Sequence, residues 1–142
     1  MILVDANLLL YTVNRFSGQH ASAKKWWDAQ LSSVETVALS WQVVQAFVRI
    51  SSNARLFKCA LTLDEAIECV QSWLDQPCVR ILQPTENHWK FFQQMLRAGH
   101  ATANLVSDAH LAALAVEHNC VLHSTDTDFA RFRGLKWKNP IA

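Results

Sequence analysis

The sequence is poor in the features that mark secreted, membrane-spanning and zinc-binding proteins. Its four cysteines form no C-x-x-C pair, and its six histidines form no H-x-x-x-H or H-x-x-E-H signature, so neither a disulfide framework nor a common zinc site is indicated. Its apolar runs are only a few residues long, whereas a helix needs ~20 apolar residues to span a bilayer. The first residues also lack the basic segment that opens a signal peptide. We therefore expect a cytoplasmic protein with free thiols and no membrane association.

Charge of one sign is not in excess either. The net charge is +1 with histidine neutral, so attraction to a nucleic acid would have to come from a local patch. Hydrophobic residues make up 51% of the 142 residues, which excludes a disordered chain. This length suits one sizeable core and is short for two. With no internal repeat, low-complexity tract or linker, we expect a single domain over residues 1–142.

Short apolar segments alternate with segments of helical periodicity. Strands are predicted at residues 1–4, 36–39, 79–82 and 121–123, with a fifth edge strand at 135–138. Predicted helices occupy residues 7–14, 19–31, 41–51, a segment after Thr62, 85–96, and a segment that starts at Asn104 or Ser107. Strands separated by helices are typical of βαβ units. The sequence therefore predicts an α/β fold with a mostly parallel central sheet of four to five strands.

Polar residues mark the ends of several of these helices. Ser40 and Thr85 stand where N-caps are expected, and Thr62, with a glutamate three residues later, predicts a capping box. Gly99 and Asn119 stand where helices are expected to end.

Four aspartates occupy positions where a parallel sheet can gather them. Asp5 ends the first apolar run, Asp126 and Asp128 follow the last strongly apolar run, and Asp108 opens a long amphipathic segment. Ligand sites in open α/β sheets form beyond the carboxyl ends of the strands. Clustered carboxylates repel one another unless a cation neutralises them, and oxygen ligands favour Mg²⁺ or Mn²⁺. This pattern predicts metal-assisted phosphoryl chemistry, although spacing alone does not place Asp108 at the same end of the sheet.

Each acid also has an ordinary structural explanation. Asp5 could be a helix N-cap, Asp108 could favour the positive end of a helix dipole, and residues 125–128 could be a plain acidic turn. One shared site is the better interpretation, because every one of these acids lies at the same kind of strand or helix end.

Three acidic motifs, in this order along the chain, carry a resemblance to a known family. They are Ile2-Leu3-Val4-Asp5-Ala6-Asn7, Val106-Ser107-Asp108-Ala109-His110-Leu111-Ala112-Ala113-Leu114-Ala115 and Ser124-Thr125-Asp126-Thr127-Asp128-Phe129. With these motifs the chain resembles a PIN domain, and in particular the VapC-like ribonucleases, the toxins of type II toxin–antitoxin systems. The resemblance spans essentially the whole chain, including residues 40–50 and 134–140. It implies a PIN-like α/β/α sandwich.

The resemblance also implies an activity and partners. It implies an endoribonuclease that uses Mg²⁺ or Mn²⁺, forms a homodimer and is held inactive by a cognate VapB-like antitoxin. Asp5, Asp108 and Asp126 would be the metal ligands. Asp126 and Asp128 would orient water at the metal or hold a further ion.

Other polar residues are expected to support this site, and one expected acid is missing. Asn7, Ser124 and Thr125 could hydrogen-bond the carboxylates and fix their side-chain rotamers. The family pattern places a glutamate where this chain has Ala46, next to Gln45. The amide oxygen of Gln45 could partly replace the missing carboxylate.

Aromatic residues of the early helices suggest a partner surface. Trp26, Trp27, Trp41 and Phe47 give more apolar surface than one small domain needs to bury. We therefore expect a homodimer and a separate groove for an amphipathic antitoxin helix.

Two other classes of protein remain open at this stage. A haloacid-dehalogenase-like phosphatase or a receiver domain would also place an aspartate after the first strand. However, Ala6-Asn7 does not supply the D-x-D pair of such phosphatases, and no receiver-like lysine follows a later strand. The second alternative is a catalytically silent PIN-like module that binds RNA or a partner, which Ala46 in place of the glutamate keeps open.

Overall fold

The computed structural model describes residues 1–142 and has a five-stranded sheet at its centre. The strands are β1 (Ile2–Val4), β2 (Val37–Leu39), β3 (Val79–Ile81), β4 (Val121–His123) and β5 (Trp137–Lys138). The helices are α1 (Ala6–Val13), α2 (His20–Leu31), α3 (Trp41–Ser51), α4 (Leu63–Leu74), α5 (His88–Ala98) and α6 (Leu105–Glu117), and a 3₁₀ helix spans Thr127–Arg131. Every predicted strand and helix is present.

The strands run in the order β3-β2-β1-β4-β5, and all neighbouring pairs are parallel. The predicted mostly parallel α/β architecture is therefore confirmed. The chain leaves the central strand β1 toward β2 and β3, and later returns on the other side of β1 to form β4 and β5. The strand order thus reverses between β1 and β4. The carboxyl ends of strands at such a switch point form a natural ligand crevice.

The sheet direction also fixes where α3 and α6 begin. Helix α3 starts two residues after β2 ends, so its first turn lies at the carboxyl edge of the sheet. Helix α6 ends shortly before β4 begins, so the helix runs back against the strand direction and its first turn lies at that same edge. This antiparallel course is what brings Asp108 to the end of the sheet where Asp5 lies.

Most of the predicted helix ends are confirmed. Ser40 accepts a hydrogen bond from the amide of Val43 at 3.2 Å. Thr62 and Glu65 form both bonds of the predicted capping box, at 2.9 and 3.1 Å. Asn119 has a φ of 54°, as expected for a residue that ends a helix in the left-handed region.

The N-cap predicted at Thr85 is wrong. Helix α5 begins at His88, after Asn87. The amide and hydroxyl of Thr85 instead both donate to the Glu117 carboxylate at the far end of α6, at 3.2 and 2.6 Å. A tertiary contact thus outcompetes the local capping signal.

Two of the four aromatic residues expected at a partner surface belong to the core. Trp27 and Phe47 are buried, and each packs edge-on against Trp73, with ring centroids 5.7 and 4.7 Å apart. Trp26 is partly buried against this core, whereas Trp41 is 51% exposed. Of these four aromatic residues, only Trp41 therefore has a largely exposed side chain.

Close packing explains the glycine after α5. A Cβ atom added at Gly99 would lie 2.4 Å from a ring carbon of Phe132, which is only 2% exposed. Gly99 has an ordinary helical φ of −91°, so contact with Phe132, and not backbone strain, requires glycine there.

None of the helices has the length and apolarity needed to cross a membrane.

Candidate metal centre

The four predicted aspartates come from three places around the switch point. Asp5 directly follows β1 and caps α1, Asp108 lies in the first turn of α6, and Asp126 and Asp128 follow β4. Strands β1 and β4 are adjacent and in register from Ile2 opposite Val121 to Val4 opposite His123. The acids that follow these two strands are therefore neighbours.

Three of the four carboxylates form one compact group. One oxygen each from Asp108, Asp126 and Asp128 lies within 4.8 Å of the others. Asp108 and Asp126 of this group belong to the predicted ligand set of Asp5, Asp108 and Asp126, and Asp128 is the acid predicted to orient water or a further ion. Asp126 caps the 3₁₀ helix by accepting a hydrogen bond from the Asp128 amide at 2.9 Å. The cap of this short helix is therefore Asp126, and Asp128 lies in its first turn.

Asp5 lies beside this group with both oxygens engaged. One oxygen accepts a hydrogen bond from the Ala6 amide at 2.7 Å, and the other accepts one from the Ser124 hydroxyl at 2.8 Å. Burial raises the pKa of Asp5; these two hydrogen bonds counteract part of that rise, and the negative charge of Asp126 adds to it. Asp5 is thus both a helix cap and a member of the acidic cluster.

Both burial and neighbouring negative charge act on the Asp108 carboxyl group. Burial, followed by repulsion from Asp126, Asp5 and Asp128, raises its pKa from 3.8 to about 6. The protein has three ion pairs, which join Met1 to Glu35, Lys24 to Asp28 and His88 to Glu117. None of them neutralises the cluster.

Ser124 is the residue that links the acids to one another. It is fully buried, and its hydroxyl donates to Asp5 while accepting from the Asp126 amide at 3.0 Å and the Asn7 side chain at 3.3 Å. Its carbonyl oxygen accepts a hydrogen bond from the Trp137 indole at 3.1 Å. Asn7 thus reaches Asp5 only through Ser124.

Thr125 does not make the expected hydrogen bond. Its side chain has no hydrogen-bond partner among the carboxylates, whereas its neighbour Ser124 holds Asp5.

An open cleft of about 380 Å³ lies against Asp5 and Asp108. One face of α3 forms another wall of this cleft, with Gln42, Gln45, Ala46 and Arg49. Ala46, where the family pattern has a glutamate, therefore faces the same cleft as the acids. Sequence reasoning identified Gln45 but missed Gln42 and Arg49. Their signal was the helical spacing of three or four residues around position 46.

The donor set suits a hard divalent cation. The close group offers carboxylate oxygens only, without sulfur or imidazole nitrogen, and Mg²⁺ and Mn²⁺ prefer such ligands. The raised pKa of Asp108 shows that its ionised form is disfavoured without a nearby positive charge. A bound cation would supply that charge and favour the ionised form.

Comparisons with known proteins agree with the fold. The family model for the PIN domain matches residues 2–135. Ribonuclease VapC37 of Mycobacterium tuberculosis is 43% identical over 142 residues, covering 100% of this chain and 99% of the relative. Ribonuclease VapC33 of the same species is 36% identical over 141 residues, covering 99% of each.

Two solved structures share the fold at low sequence identity. VapBC2 from Rickettsia felis, bound to a DNA fragment from its promoter, superposes with a TM-score of 0.72 at 16% identity and 98% coverage of both chains. The sarcin-ricin loop cleaving toxin VapC20 of M. tuberculosis superposes with a TM-score of 0.68 at 20% identity, covering 96% of this chain and 99% of that one.

Proposed function

Because this chain belongs to the PIN domain family, we propose that it is an endoribonuclease toxin that hydrolyses RNA phosphodiester bonds with the help of Mg²⁺ or Mn²⁺. The full-length similarity to proteins named as VapC ribonucleases supports the reaction class. The observation that carries the metal dependence is the close group of Asp108, Asp126 and Asp128, which no lysine or arginine neutralises. We further propose that residues 1–142 act as one domain.

Asp108, Asp126 and Asp128 would hold the cation, with Asp5 beside them. When bound, such a cation acts as a Lewis acid toward the phosphoryl group and lowers the pKa of a water nucleophile. Ser124 fixes the orientation of Asp5 through its hydroxyl and the start of the acidic loop through its bond to the Asp126 amide. Fixed carboxylates need no reorganisation when charge develops, which is how pre-organised sites lower a barrier.

The partners proposed for the chain follow from its relatives and its surface. Several proteins of the same fold are described as toxin–antitoxin complexes, which supports a VapB-like antitoxin that inhibits this chain in the cytoplasm. Large exposed apolar side chains on α3, α4 and α5 support both an antitoxin contact and a homodimer. These side chains are Trp41, Leu63, Ile67 and Trp89.

The alternative function, a catalytically silent module that binds RNA or a partner, is supported only by Ala46. This residue lines the cleft at the position where the family pattern has a glutamate, so the cleft has one carboxylate fewer. The three remaining close carboxylates are enough for Mg²⁺, which often takes one or two protein carboxylates and keeps several waters. The ribonuclease relatives also favour the enzyme over the silent module.

Cleavage of a structured RNA tests the proposal. Wild-type protein, purified without an antitoxin, is incubated with RNA in Mn²⁺, in Mg²⁺ and in EDTA, beside Asp126→Asn. We expect products only with wild type and metal. Glu86→Gln removes an exposed acid remote from the cluster and should cleave like wild type. Equal cleavage in EDTA would refute metal dependence, and equal cleavage by Asp126→Asn would refute the acidic site.

A further inference from the structure

Arg49 is a cation without a partner inside the candidate cleft. Arg49 lines the α3 wall of the same cleft that Asp5 and Asp108 line. It takes part in none of the three ion pairs, and its side chain makes no hydrogen bond. It is exposed, so its guanidinium is available to a ligand in the cleft.

The local sequence leaves this charge uncompensated. Helix α3 contains no acidic residue. The helical neighbours of Arg49 one turn away are Gln45 and Ala46 before it and Ser52 and Asn53 after it, all uncharged, so no i,i+3 or i,i+4 pair can form. Gln42 and Gln45 extend the same wall with neutral amides. The cleft therefore has one acidic wall and one wall that is neutral to positive.

We propose that Arg49 binds a phosphate of the RNA substrate in this cleft. A planar guanidinium can donate two parallel hydrogen bonds to the non-bridging oxygens of a phosphodiester. A phosphate between the two walls would meet positive charge from Arg49 on one side and from a cation held by the acids on the other. Without Arg49 the α3 wall supplies no charge to hold it. This inference rests on the proposed ribonuclease function, since it names a contact to the substrate of that reaction.

The test measures RNA affinity in EDTA, where no cleavage is expected. Fluorescence anisotropy with a single-stranded RNA oligonucleotide compares wild type, Arg49→Gln, Arg49→Lys and Arg97→Gln over a range of salt concentrations. Arg97 is a matched control because it too is exposed, lies in the last turn of a helix and makes no ion pair. Thermal melts of all four should coincide, because exposed side chains without partners contribute little to folding.

The expected result separates a specific contact from general charge. Arg49→Gln should bind RNA about tenfold more weakly and should lower the slope of log affinity against log salt by about 0.7, the value for one single-strand phosphate contact. Arg49→Lys should keep the salt slope, while Arg97→Gln should change neither quantity. Equal losses in Arg49→Gln and Arg97→Gln, or no loss in Arg49→Gln, would overturn the proposal.

Neutral phosphates locate the contact. Methylphosphonate groups are placed one at a time along the oligonucleotide. One position should weaken binding by wild type while leaving binding by Arg49→Gln unchanged, because that variant has already lost the contact. If every position affects both proteins equally, Arg49 binds no phosphate. Failure of wild type to cleave RNA with metal would refute the nuclease function, whereas this binding result would still support a phosphate contact.

Discussion

Replacing Asp108 with asparagine should stabilise the metal-free protein. The substitution keeps the shape of the side chain and removes a charge that burial disfavours and that Asp126, Asp5 and Asp128 repel. The rise of its pKa from 3.8 to about 6 corresponds to roughly 3 kcal/mol if taken at full value. Asp108 is only partly buried, and solvent screening reduces this figure, so we expect a gain of about 1 to 2 kcal/mol.

The stability gained by Asp108→Asn relative to wild type should increase as pH rises. A carboxyl group whose pKa is higher in the folded protein favours folding when protonated, and this contribution disappears as pH rises through the folded pKa. Wild type and Asp108→Asn should therefore be equally stable below about pH 4, where both side chains are neutral. The variant should become more stable than wild type between pH 4 and about 7, as Asp108 ionises near 6.

Urea unfolding in EDTA at several pH values measures this difference, with Glu86→Gln as the control for loss of an exposed acid. That control should show no comparable gain. Adding Mn²⁺ at pH 7 should raise the stability of wild type and not that of Asp108→Asn, because binding to the folded state adds stability. A variant that is equally stable or less stable than wild type at pH 7 in EDTA would refute the charge-repulsion argument.

Three further substitutions probe other parts of the site and fold. Asp5→Asn should abolish RNA cleavage and weaken Mn²⁺ binding while leaving the fold intact; unchanged cleavage would exclude Asp5 from the site. Ala46→Glu should tighten Mn²⁺ binding in calorimetry, because position 46 faces the same cleft as Asp5, and an unchanged affinity would mean that the added carboxylate cannot reach the ion. Gly99→Ala should lower stability by about 1 to 3 kcal/mol through its clash with Phe132, whereas Gly18→Ala, which meets nothing within 4 Å, should not; equal melting temperatures for the two would contradict the packing argument.

Much of the fold follows from local signals in the sequence. Short apolar runs predicted four of the five strands, and the segment before Pro140 predicted the fifth at an edge of the sheet. Ser40 and Thr62 marked two helix starts by bonds that act within one turn. Thr85 failed because its capping preference competes with Glu117, 32 residues away in the chain. No local pattern reveals a partner at that distance.

The sequence indicated which aspartates could share a site, but it did not determine how they are arranged in space. Asp5 and Asp126 follow strands, so their approach required only that β1 and β4 be neighbours. The place of Asp108 depended on the course of α6, which spacing does not determine. The hydrogen bond from the Ser124 hydroxyl to Asp5 is likewise a tertiary contact, between residues far apart in the chain.

The surplus of aromatic residues was the least reliable signal. Trp27 and Phe47 looked like interface residues in the sequence, yet both pack on Trp73 inside the core. Periodicity shows that a helix has an apolar face, but it does not show whether that face meets the core or a partner.

The most direct test of the metal centre is a crystal structure of the protein grown with Mn²⁺, with data collected at a wavelength where manganese scatters anomalously. We predict an anomalous peak bounded by the carboxylates of Asp108, Asp126 and Asp128, with Asp5 beside it. The peak should vanish in crystals of Asp126→Asn. No peak at this position under saturating Mn²⁺, or a peak that persists in the variant, would contradict the central claim that these acids hold the catalytic cation.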